Sequence, residues 1–147
     1  MIINTGQRTD IPAFYSQWFM NRIREGYVVA RNPFNPHQLT RYLLDPRLVD
    51  GICFCTKNPS PLIPFLPELS PFRQIWHVTI TPYGREIEPF VPPVDEVIQS
   101  FRELSAIVGK ERLFWRYDPI FISDTWTMER HISAFSRMAA ALREYTL

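Results

Sequence analysis

Apolar residues along the chain recur with two different periods, and the switching between them predicts alternating strands and helices. Four short apolar, β-branched or aromatic runs read as strands: "MIIN" (1–4), "GICFCT" (51–56), "IWHVTIT" (75–81) and "RLFWRY" (112–117). Helical stripes lie between and after them. Asp10 is a fitting N-cap, Pro12 is tolerated in a first turn, and Ile11, Phe14, Tyr15, Trp18, Phe19 and Ile23 share one side until Gly26 stops the helix. A second stripe is Val94, Val97, Ile98, Phe101, Leu104 and Val108, ending at Gly109. A third starts near Thr125 or Thr127 and runs through Met128, Ile132, Phe135, Met138 and Leu142. Pro61, Pro64 and Pro67 leave room for only a short helix between the second and third runs. Residues 27–44 predict two strands around a loop holding Asn32-Pro33 and Asn35-Pro36. The first of these is expected to join the main sheet as its second member, and the second to fold back as a hairpin arm.

Strand, helix, strand, helix is the grammar of a parallel α/β sheet with right-handed crossovers. A doubly wound open sheet and a β/α barrel both satisfy it, and side-chain alternation separates them. In "IWHVTIT", His77, Thr79 and Thr81 share one face and Trp76, Val78 and Ile80 the other. The same parity groups Cys53, Cys55 and Lys57, and groups Arg116 with Asp118. A doubly wound sheet buries both faces under helices and wants both apolar. A barrel with a ligand-holding interior accepts one polar face, so the barrel is favoured. A complete eight-unit barrel needs about 250 residues. The expectation is therefore a partial (β/α) barrel: one domain over 1–147, the N-terminal half, with four or five mainly parallel strands, helices on the outer face and a β-hairpin arm at 27–44. Its open edges would be available for self-association.

Composition narrows the function classes. The chain has 147 residues, 46% hydrophobic and 14% aromatic, enough for a packed core. Sixteen Lys and Arg against fifteen Asp and Glu give a net charge of +1, so no global field marks a nucleic-acid or anionic-membrane binder. The opening "MIINTGQR" is not a secretory signal, and no run approaches the roughly 20 apolar residues of a membrane span. A cytoplasmic location is expected, with no membrane partner. Cys53 and Cys55 stand two apart on one strand, unsuited to a disulfide with each other and too few to close a zinc or iron-sulfur site. They read as small residues facing a crowded interior. No P-loop, dinucleotide glycine fingerprint, metal-binding His-Glu pair or nucleophile elbow occurs.

Polar residues gather where each strand run ends: "NTGQRTD", "TKNP", "TITPYGRE" and "RYDP". Both parallel architectures place ligand sites at that edge. Arg8 and Asp10 either form a local pair, with Asp10 merely capping the helix, or present a guanidinium to a carboxylate or phosphate beside Gly6, which lets backbone approach a ligand. Lys57 and Asn58 sit where the second run leaves the sheet. The ammonium is a surface charge, an anion binder or, if desolvated, a base. Arg116 and Asp118 form either a structural bridge or a ligand-binding pair, because an inward Arg needs a partner. The candidate set is Lys57 and Asp118 for catalysis, with Arg8, Asp10, Asn58, Thr79, Thr81 and Arg116 for substrate binding and no metal ligands. His77, deeper in its strand, reads as a hydrogen-bonded interior residue. His37, in a Pro-rich loop, and His131, beside a helical apolar stripe, read as structural.

Taken in order, "NTGQRTDIPAFYSQWFMNRIREG", "RNPFNP", "TKNP", "TPYGR" and "WRYDPI" resemble the N-terminal half of a bacterial family, domain of unknown function 1848, over essentially the whole chain. The resemblance implies a β/α barrel related to radical-SAM proteins, and in a full-length protein a [4Fe-4S] cluster and S-adenosylmethionine, with the cluster cysteines in the C-terminal part. This chain ends before any such cysteines, and "CFC" is not a three-cysteine motif, so no cofactor is expected in this chain alone. The resemblance supplies no substrate, small-molecule or macromolecular. From the residues themselves two other readings stand beside it: a cofactor-free barrel enzyme using acid-base chemistry on a small anionic substrate, with Lys57 or Asp118 shifted in pKa, and a non-catalytic binding or assembly fragment.

Overall fold

The computed structural model describes residues 1–147. Its strands are β1 (Ile2–Asn4), β2 (Tyr27–Arg31), β3 (Leu39–Leu43), β4 (Gly51–Thr56), β5 (Gln74–Thr79) and β6 (Leu113–Arg116). Its α-helices are α1 (Ile11–Phe14), α2 (Ser16–Glu25), α3 (Leu66–Leu69), α4 (Val94–Val108) and α5 (Met128–Leu142). β1, β4, β5 and β6 form a four-stranded, wholly parallel sheet in that order. It is an open α/β sheet and does not close into a barrel.

The expected place of β2 in the main sheet is not what the structure shows. β2 pairs only with β3, antiparallel, from Tyr27 opposite Leu43 to Arg31 opposite Leu39. The reason is in the side chains: every residue of β3 is exposed and β2 is at most half-buried, so neither strand has the two apolar faces that an internal position demands. The first helical stripe also divides, at Tyr15, whose backbone (φ −133°, ψ 23°) leaves the helix. There the Ser16 hydroxyl donates to the Pro12 carbonyl at 2.6 Å, supplying a side-chain bond of the kind that competes with the helical ladder. Asp10 caps α1 by accepting from the Ala13 N–H at 2.9 Å, and Gly26, with φ of 76°, ends α2. Thr127 caps α5, and only a single-turn α3 forms among the prolines.

Alternation sets the two faces of the sheet. Ile52, Phe54, Trp76, Val78 and Leu113 point to one side and join Phe19 and Met20 of α2, Phe101 and Leu104 of α4, and Met138 and Leu142 of α5 in one core. Phe54 stacks on Trp76 with ring centroids 4.2 Å apart. Burying each such side chain stabilises the fold by about 1.5–3 kcal/mol. Trp76 also keeps its indole N–H satisfied, donating to Gln74, whose own amide donates to the Leu69 carbonyl. The side chains of the other face lie outside that core. There Cys53, Cys55, His77, Thr79 and Phe114 are half-buried, and Ile75 and Arg116 are exposed. No helix is long and apolar enough to cross a membrane.

Candidate functional site

A parallel sheet brings all its C-terminal strand ends to one edge, and polar residues follow β4, β5 and β6 there. After β4, the Lys57 ammonium forms an ion pair with Glu88 at 2.7 Å and donates to the Thr81 hydroxyl at 3.1 Å. Thr81, beyond the end of β5, donates to the other Glu88 oxygen at 2.7 Å, closing a three-residue ring of bonds. Glu88 is only 12% exposed, so its desolvated carboxylate depends on these partners. Asp10 joins from the β1 side: one oxygen caps α1 and the other accepts from the Lys57 backbone N–H at 2.7 Å. Asn58 donates its N–H to the Thr56 hydroxyl and accepts from Ser60, which turns the chain out of the sheet.

On the opposite side of the edge, Thr79 stands beside Arg116 in the β5–β6 register, and Arg116 binds Asp118 at 2.5 Å. Asp118 Oδ2 takes that bond, while Oδ1 is shielded from solvent and has no partner. His77 stacks on Phe114 below Arg116. Burial first, and then the Arg116 guanidinium, hold its imidazole below the ordinary value. Burial likewise pushes the Cys53 thiol up, with Cys55 adding to the shift. The loops around the site are tied together by Tyr83, whose hydroxyl donates to the Pro119 carbonyl at 2.8 Å and accepts from the Phe121 N–H.

Arg8 goes elsewhere. Its guanidinium donates to the Arg31 carbonyl at 2.7 Å, at the end of the hairpin strand β2, and makes no ion pair with Asp10. Gly6 is close-packed, but against the neighbouring strand: a Cβ added there would lie 2.5 Å from the Cys55 Cβ. The edge therefore gathers Asp10, Lys57, Asn58, Thr79, Thr81, Arg116 and Asp118, and Arg8 turns toward the hairpin. Sequence reasoning missed Glu88. It sits in the irregular "EIEPF" loop, and the available hint was an acidic residue shortly after a strand end that faces a lysine. His131 is structural as expected: it is buried and bridges Tyr117 OH (2.9 Å) and the Phe121 carbonyl (3.0 Å). Since a carbonyl only accepts, Nε2 carries the proton and Nδ1 accepts from Tyr117. His37 lies exposed in the hairpin loop.

The arrangement holds both signs of charge in pairs. Two cations, Lys57 and Arg116, stand among three carboxylates, Asp10, Glu88 and Asp118. Such a set lacks the positive surplus that would attract a simple anion. A family model described as domain of unknown function (DUF1848) matches residues 2–147. The chain belongs to this family. No curated protein and no solved structure matches it. Membership in DUF1848 names no substrate, so the chemistry of the site carries the functional reading.

Proposed function

We propose that this DUF1848 chain forms the amino-terminal wall of a radical-SAM-like β/α barrel, whose strand-end residues bind a polar ligand carrying an ammonium group. The observation that carries the reading is the balance of two cations and three carboxylates at the strand-end edge, where the half-exposed Asp118 keeps one shielded carboxylate oxygen without a donor. Native folds rarely leave such an atom unpaired without a use for it. A ligand with both an ammonium and a carboxylate suits the rest of the set, because each charged end can share an existing ion pair without adding net charge. The amino-acid end of S-adenosylmethionine has this pattern: Asp118 and Glu88 would meet its ammonium, and Lys57 and Arg116 its carboxylate. In the chemistry implied by the resemblance, that molecule supplies the oxidising equivalent once it is reduced.

The iron-sulfur cluster does not fit this chain. Cys53 and Cys55 are two thiols on one strand, and no group of three His, Cys, Asp or Glu side chains is placed to hold a metal. The raised Cys53 thiol is also displaced away from the thiolate that iron requires. No step through a cluster is derived from these residues. The acid-base alternative on a small anion has less support, since the Lys57 ammonium is engaged by Glu88 and the edge has no excess of cations. A longer DUF1848 protein with a cysteine-rich C-terminal part, reconstituted anaerobically with iron and sulfide, should show cluster absorbance and reductive cleavage of S-adenosylmethionine. Well-folded protein that does neither contradicts the proposal.

A further inference from the structure

A cleft of about 650 Å³ runs between β1 and β2, and one end of it reaches Arg8, Thr9 and Ile11, beside the Asp10 that joins the Lys57 edge. Residues 1–5 line one side and residues 28–31 the other. Because side chains alternate along a strand, consecutive lining residues mean that each strand presents its backbone edge to the space. Hydrogen bonding supports this for β1. Thr5 N–H donates to the Cys53 carbonyl and the Met1 carbonyl accepts from Asp50, so the odd residues face β4. Ile2 and Asn4 therefore turn their N–H and C=O groups to the free edge. Nothing blunts that edge: β1 contains neither lysine nor proline, and Ile2 is 75% exposed. The Arg8 bond to Arg31 ties the turn after β1 to the end of β2 and closes one end of the cleft.

The charge of the lining is one-sided. Arg8 and Arg31 stand at one end, Arg22 comes from the last turn of α2, and no Asp or Glu lines the cleft. Arg22 Nε is shielded from solvent and has no hydrogen-bond partner. We infer that the cleft receives a short extended segment of a partner polypeptide, added along β1 as a further strand, apolar in its middle and bearing carboxylates that meet these guanidinium groups. Main-chain bonds to Ile2 and Asn4 would provide affinity, and the arginines would select acidic ends. A small amphipathic anion would satisfy the arginines but leave the strand edge unpaired. This inference needs no cofactor and no ligand at the strand-end site, and it requires that β1 stay an open edge of the proposed barrel.

Fluorescence polarisation with a labelled peptide tests it. The probe alternates valine and threonine and is flanked by aspartates. One control has lysine flanks, and another has N-methyl groups at alternate residues. The acidic peptide should bind saturably, and lysine flanks or Arg31→Glu should each weaken it by about tenfold. N-methylation should abolish binding, as should Ile2→Pro, which removes an edge N–H at a strand start where proline is tolerated. Circular dichroism of both protein variants checks that they fold. Equal binding of the N-methylated peptide, no saturable binding, or binding of decanoate without binding of peptide would each overturn the inference. Concentration-dependent self-association lost in Ile2→Pro would overturn it too, making a second copy the occupant.

Discussion

Replacing Gly6 by alanine should loosen the attachment of "NTGQRTD" to the sheet, and the structure sets the size of the effect. The added methyl carbon would lie 2.5 Å from Cys55 Cβ and 3.2 Å from its sulfur. Cys55 Cβ belongs to the rigid part of β4, so rotating the thiol cannot relieve the first contact. Either β1 moves away from β4 or the turn after β1 rearranges. Overpacking of this kind costs about 1–3 kcal/mol. For a chain of this length each kcal/mol lowers Tm by about 2–4 °C. The displaced turn also carries Asp10 away from the Lys57 N–H that it accepts from at 2.7 Å. Thermal and urea unfolding of Gly6→Ala, Cys55→Gly and the double variant form a cycle. The Gly6→Ala penalty should shrink markedly in the Cys55→Gly background, where the colliding carbon is gone. An unchanged stability for Gly6→Ala, or an equal penalty in both backgrounds, would show that contact with Cys55 does not hold the turn in place.

Glu88→Gln leaves the part-buried Lys57 ammonium without its carboxylate and should destabilise the chain by about 1–3 kcal/mol in urea unfolding. The loss should be smaller when Lys57→Met is added, and equal losses in both backgrounds would contradict the pairing. His77 is held below its ordinary value of 6.5, so the unfolded chain takes up the proton first, and stability should fall as pH drops below 6.5 until the folded imidazole has titrated. NMR titration should place His77 below that value and move it upward in Arg116→Gln; a value at or above 6.5 in the parent chain contradicts the reading. His131→Phe removes the bridge from Tyr117 to Phe121 and should cost about 1–3 kcal/mol in the same assay, with no loss if the bridge is dispensable.

Legibility followed burial. Strands β1, β4, β5 and β6 lie near their expected places because one face of each packs on helices, and that pressure leaves an alternating apolar record such as Trp76, Val78 and Ile80. The two long helices α4 and α5 were readable from stripes ended by Gly109 and begun by Thr127. The hairpin was readable as two strands but not in its pairing, since exposed side chains such as Thr40, Arg41 and Tyr42 record no neighbour. The break at Tyr15 coincides with the bond between Ser16 and Pro12, which no periodicity reports. At the strand ends, position alone drew Lys57, Thr81 and Arg116 toward one edge. Glu88 stayed hidden because an irregular loop has no repeat from which to infer direction, and Arg8 turned aside because its partner, the Arg31 carbonyl, is a backbone atom on a strand whose place was not legible.

We propose that the residues after β4, β5 and β6 form one binding site for a ligand of mixed charge. The most direct measurement is a titration of the labelled chain with L-methionine, followed through backbone amide shifts, with malonate as the purely anionic control. Lys57, Asn58, Thr81, Glu88 and Asp118 should shift together with one saturation curve, lose that response in Asp118→Asn, and show little response to malonate. Shifts scattered over the surface, or the same shifts with malonate as with methionine, would contradict the claim.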